Sequence, residues 1–350
     1  MANTKINKSI IPNFNHIPGV HCTSSAIRDV FEFHGLKTSE AMIFGLGSGL
    51  GLGYGKLGRE MSIIGGRQYK FEDNLCNLLN IGLNKFTTTN KEEGWQRLKE
   101  MLENDLPVAI NVDMAFLPYQ ELPEGFHFGQ HTIVVAGHNS ENSIVHIADT
   151  HFSDLKEITL EDLTKARNYS YSRWMDPRNF IYEFSFPREE EVPDFKDVIP
   201  IAIQKTGKNI QKKSRIMRIF GMINGLDAIS KFSQSLDKLA DLENSVLQDR
   251  CNEIAGFISE YGTGGGLFRY IYSQFLLESA EICNDNSLIE LGDYYKNLGD
   301  KWEEVAQNVL RIPESSDQER NQVILVVMDI LNTIKLLEKK GAKKLQGYSG

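Results

Sequence analysis

Three residues of this chain have the types and the order of a nucleophilic catalytic group: Cys22, His131 and Asp149. Cys22 follows a turn-rich lead-in, Asn15-His16-Ile17-Pro18-Gly19-Val20-His21. It opens a segment whose pattern predicts a helix over Thr23–His34, closed by Gly35 in the C′ place. A cysteine at a helix start meets the positive end of the dipole and unpaired backbone N–H groups. That setting lowers a thiol pKa and offers donors to an oxyanion. His131 opens the apolar run Thr132–Gly137, and Asp149 closes Ser143–Ala148. Cysteine first, histidine on a later strand and carboxylate on the next is the chain order of papain-like nucleophilic catalysis. A carboxylate at Asp149 can accept from the His131 Nδ1–H and fix its tautomer. The Cys22 N–H, with a side-chain donor from His16 or Asn15, is the expected oxyanion hole.

Other histidines and motifs compete with this group. His127 and His131 are four apart, and with Asp149 they could form a zinc site. Phe128-Gly129-Gln130 is a poor helix and the run after it is β-like, so no metal and no cofactor is expected. His146 reads as buried or lining, and His138 as exposed in a turn. Cys76, Cys251 and Cys283 form no CxxC pair and read as core or surface thiols. Gly53-Tyr54-Gly55-Lys56-Leu57-Gly58 is a literal G-x-G-x-x-G, but a helix rather than a strand precedes it, so a dinucleotide site is rejected. Gly47-Ser48-Gly49 likewise fails the G-x-S-x-G pattern, because Leu46 and Leu50 hold the outer places. The glycine-dense stretch from Phe44 to Gly66 is expected to be a flexible loop beside the thiol, lining a substrate channel. Ser48, Gly49, Tyr54 and Arg67 are its substrate-binding candidates, and Lys56, Arg59 and Arg67 form a possible docking patch.

The elements around these residues divide in two. Helices are expected around Glu72–Leu79 and Lys91–Asn104, and a strand over Leu106–Val112. A strand pair follows over His131–Gly137 and Ser143–Ala148. Thr159, with Asp162 at N3, begins another helix, and Asn179–Phe186 is a last strand. Pro187–Asp194 reads as a solvated linker. Helical spacing then recurs over Ile223–Leu242, Val246–Tyr261, Phe268–Cys283, Ser287–Val309 and Gln318–Lys340. The expected fold is an α/β (α+β) papain-like cysteine-nucleophile domain over residues 1–187, then an all-α domain over 188–350 that covers the cleft or makes a homodimer.

Bulk properties narrow the class. The 350 residues carry a net charge of −9, split as −8 over residues 1–200 and −1 beyond, which argues against a nucleic-acid surface. All eight histidines lie between His16 and His151. Mean hydropathy is −0.32, with no long apolar run to span a membrane. The first residues lead into no apolar segment of a signal peptide, and sparse cysteines suit a reducing cytosol, so a cytoplasmic location is expected.

His16–Arg28, then Phe33-His34-Gly35, Ser39-Glu40, Phe44–Gly51 and Gly66-Arg67 resemble the N-terminal domain of the butirosin biosynthesis protein H family. The helical half is similar, less specifically, to the domain of unknown function that commonly follows it. The resemblance implies a papain-like fold and acyl transfer in secondary metabolism. The family's namesake moves an aminoacyl group from an acyl carrier protein onto an aminoglycoside amine. By that analogy Cys22 takes the acyl group as a thioester, His131 acts as base and then acid, and Asp149 orients His131. The implied partners are an acyl carrier protein or other thioester donor and an amine-bearing small molecule. A papain-like cysteine peptidase or amidase with water as acceptor, and a catalytically silent binding subunit, stay open beside it.

Overall fold

The computed structural model describes residues 10–57, 61–171, 175–212 and 221–350. In chain order the elements begin with α1 (Cys22–Phe33), α2 (Glu40–Leu46), β1 (Leu50–Leu57), β2 (Met61–Arg67), α3 (Phe71–Leu78), β3 (Gly82–Phe86) and α4 (Lys91–Glu103). Then come β4 (Val108–Val112), β5 (His131–Asn139), β6 (Ile144–Ala148), β7 (Lys156–Thr159), α5 (Leu160–Asn168) and β8 (Ile181–Ser185). The remainder is α6 (Phe195–Gln211), the short β9 (Ile223–Asn224), α7 (Leu226–Leu236), α8 (Asn244–Ser259), α9 (Arg269–Cys283), α10 (Ser287–Arg311) and α11 (Asp317–Gln346). The architecture is thus α+β followed by helices.

Two compact units result. The first takes the described part of Met1–Glu40 together with Ile81–Arg188, and the second takes Ala41–Asn80 together with Glu189–Gly350. The sequence reading divides the chain once, near residue 187, whereas this grouping sends 41–80 to the later unit.

The first unit is built on an antiparallel sheet of order β3-β8-β4-β5-β6-β7. Alternation along β4 and β5 sends Ala109 and Val134 to one face, where they pack with Ala26 and Val30 of α1. Val108, Ile110, Val112, Ile133 and Val135 go to the other face, against Leu98 and Leu102 of α4 and Leu163 and Ala166 of α5. With helices on both faces β4 is buried throughout, so it reads as a continuous apolar run. Each fully buried aliphatic side chain here is worth about 1.5–3 kcal/mol. Register pairs Ile110 with Ile133 and Val112 with His131, so the histidine stands at the end of the ladder. Thr159 caps α5 by accepting from the Asp162 N–H.

Gly94 marks a close approach in this unit: a Cβ there would meet Asn179 Cγ at 2.4 Å. That amide also donates to Thr88 O and exchanges bonds with Asn168. Alanine normally favours a helix interior by about 1 kcal/mol over glycine. Gly94→Ala is nevertheless expected to lower stability, by about 1–3 kcal/mol, as overpacking does. A urea midpoint that rises instead would show that Asn179 moves aside at little cost.

In the second unit the glycine-dense stretch is a strand pair, not a loop. β1 and β2 pair antiparallel, and β9 extends them in the order β2-β1-β9. The glycines permit close packing: a Cβ on Gly55 would meet Met222 Sδ at 2.2 Å, and one on Gly66 would meet Leu267 O at 2.3 Å. The strands of this unit thus come from residues 50–67, and beyond residue 188 the described chain is helical apart from the two-residue β9. β9 and Gly225 (φ 70°) also occupy the start of the helix expected over Ile223–Leu242, leaving α7 from Leu226. Pro200 lies inside α6, which is why no helical reading anticipates that element. Gly58 and Arg59 lie outside the described residues, as do residues 1–9. Among the described residues no helix is long and apolar enough to cross a membrane.

Candidate active site

α1 starts at Cys22, and the chain leading to it is held by buried charge. Its N-cap is His21, whose Nδ1 accepts from the Ser24 N–H at 3.3 Å. The Glu40 carboxylate accepts from the Val20 and His21 N–H groups at 2.9 Å each and from the Ser24 hydroxyl at 2.8 Å. Burial raises the Glu40 pKa, with those three donors acting against it. Gly19 donates to Thr150 O at 2.7 Å, and a Cβ on it would strike Ser25 and Glu40. Arg28 pairs with Asp29 and donates to the carbonyls of Ile17 and Pro18. The turn before the thiol is thereby fixed by side chains from α1 and α2.

His16 belongs to this brace. Its Nδ1 bonds Asp29 at 2.6 Å and its Nε2 bonds Phe152 O at 2.8 Å. Both partners are acceptors, so both ring nitrogens carry protons. Burial opposes that charge, but Asp29 and the carbonyl outweigh it and the pKa is raised. Neither nitrogen is left for an oxyanion. Asn15 Nδ2 donates to Glu32 at 3.3 Å, so the second expected side-chain donor is also engaged elsewhere.

His131 and Asp149 meet as the sequence order suggests, with one difference. His131 Nε2, rather than Nδ1, lies 2.7 Å from Asp149 Oδ1. The ring reaches the β6 end with its far nitrogen, which leaves Nδ1 for Cys22, to which His131 is hydrogen-bonded. Burial works against a charged His131, yet Asp149 and then Cys22 outweigh it and raise its pKa. Burial likewise opposes a charged Asp149, but His131, Tyr119 and Gln120 hold its carboxyl below the usual range. The Tyr119 hydroxyl and Gln120 Nε2 each donate to Oδ2 at 3.0 Å, and the Thr150 N–H donates to Oδ1 at 2.7 Å. Burial and the neighbouring Asp149 charge push the Tyr119 pKa up, so it stays a donor. Tyr119 and Gln120 escaped the sequence reading because they sit in irregular chain with no periodicity or motif.

Behind the thiol runs a hydroxyl chain. Thr132 donates to Asn111 Oδ1 at 3.0 Å and lies 3.0 Å from Thr23 Oγ1, which is 3.8 Å from Cys22 Sγ. Cys22 is partly exposed, whereas Cys76 and Cys251 are buried. None of the four cysteines is in a disulfide.

The expected substrate-binding residues belong to the second unit. Ser48 is buried and donates to Ala202 O at 3.1 Å. A Cβ on Gly49 would strike Phe44, Tyr54 packs on Phe232, and Arg67 pairs with Glu72. His127, the possible zinc ligand, is bonded to Asp113 instead. Among the described residues no group of three His, Cys, Asp or Glu side chains is arranged to hold a metal ion.

Fold and site together define an α+β protein in which a helix-terminal cysteine, a strand histidine and a buried aspartate converge, followed by a helical region. The chain belongs to the butirosin biosynthesis protein H family: residues 21–150 match the model of its N-terminal part, and residues 161–345 match the domain of unknown function DUF4872. Membership ties it to antibiotic biosynthesis. No curated protein matches the chain.

Proposed function

We propose that this protein is a cysteine-dependent acyltransferase with a papain-like site, moving an acyl or aminoacyl group from a thioester donor to an amine through an acyl-Cys22 intermediate. One observation carries the reading: His131, 2.7 Å from Asp149, also interacts with Cys22, the first residue of α1. The thiolate attacks the donor carbonyl, and His131 protonates the departing thiolate. The carboxylate holds the ring so that Nδ1 faces sulfur. Exchange of one thioester for another is nearly isoenergetic, so the residues need only supply a thiolate, a proton shuttle and some exclusion of water. The net −8 of residues 1–200 favours a cationic amine acceptor by electrostatic steering. A carrier-protein donor, by analogy with the family's namesake, is part of the proposal.

The test uses acetyl-N-acetylcysteamine as donor, with intact-mass and peptide analysis. Wild type is expected to gain one acetyl group on Cys22 and to yield an amide when an amine is added; Cys22→Ala gains none. An unlabelled wild-type Cys22 overturns the reading. Label that turns over to acetate at a rate indifferent to amine replaces it with a hydrolase.

A further inference from the structure

Four residues before His131, the chain forms a second histidine–carboxylate pair that the Cys22 chemistry leaves unused. His127 Nδ1 lies 2.9 Å from Asp113 Oδ2. The other Asp113 oxygen accepts from the N–H groups of Ala115 and Phe128, at 3.1 Å each, so the carboxylate is fixed. A ring that donates from Nδ1 carries its lone pair on Nε2 in the neutral tautomer. Among the described residues nothing bonds that Nε2, and the His127 side chain keeps 17% of its exposure. The contrast is His16, whose two nitrogens are both spent on structure.

The surroundings are aromatic. The His127 ring stacks on Tyr169 at 4.5 Å with 13° between planes, and on Tyr171 at 5.1 Å with 22°. Phe116 borders it at 5.9 Å and packs on Tyr169. Tyr171 is 65% exposed. Asp113 immediately follows Val112, the ladder partner of His131, and the Met114 N–H donates to Phe128 O. The second pair therefore stands at the same end of the same sheet as the first, one residue beyond it.

We propose that His127 is the proton acceptor for the amine substrate, with Asp113 as its positioning residue and Tyr169, Tyr171 and Phe116 as an aromatic wall for an alkylammonium group. The inference rests on the acyl-Cys22 reading. An amine arrives as R–NH3⁺ and cannot attack until it loses a proton. His127 Nε2 takes that proton and later releases it to water. The nitrogen lone pair then forms the C–N bond to the thioester carbon, the C–S bond breaks, and its electron pair returns to Cys22 Sγ. His131, left neutral when it protonated the departing donor thiolate, takes the second N–H proton and restores the ion pair. The sum is thioester plus ammonium giving amide, donor thiol and one proton.

The experiment measures amide formation by the full chain at neutral pH with two acceptors and acetyl-N-acetylcysteamine as donor. n-Propylamine is almost wholly protonated there, whereas 2,2,2-trifluoroethylamine is almost wholly neutral. His127→Gln is expected to slow transfer to n-propylamine by about 100-fold, the lower range of general-base effects, and transfer to trifluoroethylamine by less than about threefold. A structural role would slow both alike. Asp113→Asn should show the same imbalance with a smaller loss, and it decides the matter if His127→Gln does not fold. Equal deficits for the two amines, or none, overturn the inference while leaving acyl-Cys22 intact. A wild type that never acylates Cys22 overturns the underlying reading and this one with it.

Discussion

Alkylation of Cys22 by iodoacetamide is expected to be nearly flat with pH in the wild type and steep in His131→Ala. An ordinary thiol, with a pKa of about 8.5, gains about tenfold in rate per pH unit below that value because only the thiolate reacts. On the proposed reading a charged His131 and the start of α1 keep the thiolate formed, so the rate should change less than about threefold between about pH 5.5 and 7.5. In His131→Ala it should climb about 100-fold over the same interval. The slope is the criterion rather than the absolute rate, since a low-pKa thiolate is a weaker nucleophile, with a Brønsted coefficient of about 0.4–0.5. The signs of the flanking shifts set the limits. His131 is held above its usual 6.5, so its charge stabilises fully below that value and is lost as pH rises through the raised one. Asp149 is held below its usual 3.8, so its charge stabilises above that value and is lost as pH falls through the lowered one. The neutral range lies inside both limits. Cys283, partly exposed and with its pKa raised first by burial and then by Asp285, is an internal control that should stay steep. A wild-type Cys22 as steep as Cys283 removes the Cys–His pair from consideration.

Glu338→Ala is expected to cost the second unit about 3–5 kcal/mol, the price of leaving a buried cation unpaired. Arg269 and Glu338 are both fully buried. The Arg269 Nε and Nη2 atoms lie 2.8 and 2.6 Å from Glu338 Oε1, to which Trp302 Nε1 also donates at 3.2 Å. The same guanidinium donates to Leu267 O and to Gly51 O, so it ties β1 to α9 and α11. For a unit of this size each kcal/mol moves the melting temperature by about 2–4 °C, so calorimetry should show a fall of about 6–20 °C. Arg269→Met combined with Glu338→Leu should recover much of it, because two apolar side chains leave no charge to compensate. A single variant that melts within about 2 °C of wild type would sink the argument.

The residues that carried most information in the sequence were those whose roles are local. The helix from Cys22, the ladder from His131 and the cap at Thr159 each follow from a few neighbouring residues, and the structure forms all three. Asp149 needed only a strand end. What escaped depends on distant chain. Nothing near Glu40 announces that its carboxylate receives the N–H groups of Val20 and His21, and nothing near Tyr119 or Gln120 announces Asp149. The choice of Nε2 over Nδ1 at His131 is a matter of ring orientation, which no residue pattern encodes. The bonds of His16 are not legible in the sequence because its acceptors, Asp29 and the Phe152 carbonyl, stand far away in the chain. In the second unit, glycine density concealed strands whose pairing requires glycine, and Pro200 concealed a helix that tolerates it.

The membership of Ala41–Asn80 in the second unit bears on how the chain is made. A ribosome releases α2, β1, β2 and α3 early, yet β9, which completes their sheet, comes more than 150 residues after β2. Until then this segment waits without its partners, while the surrounding chain can already close the six-stranded sheet at β8. The inherited module and the folding module are therefore different objects here: the family's N-terminal match, 21–150, contains the whole of 41–80. An exchange of C-terminal halves between relatives, cut near 188, would hand each recipient a foreign partner for its own hairpin. Cuts that move 41–80 together with the C-terminal half would keep that sheet within one parent.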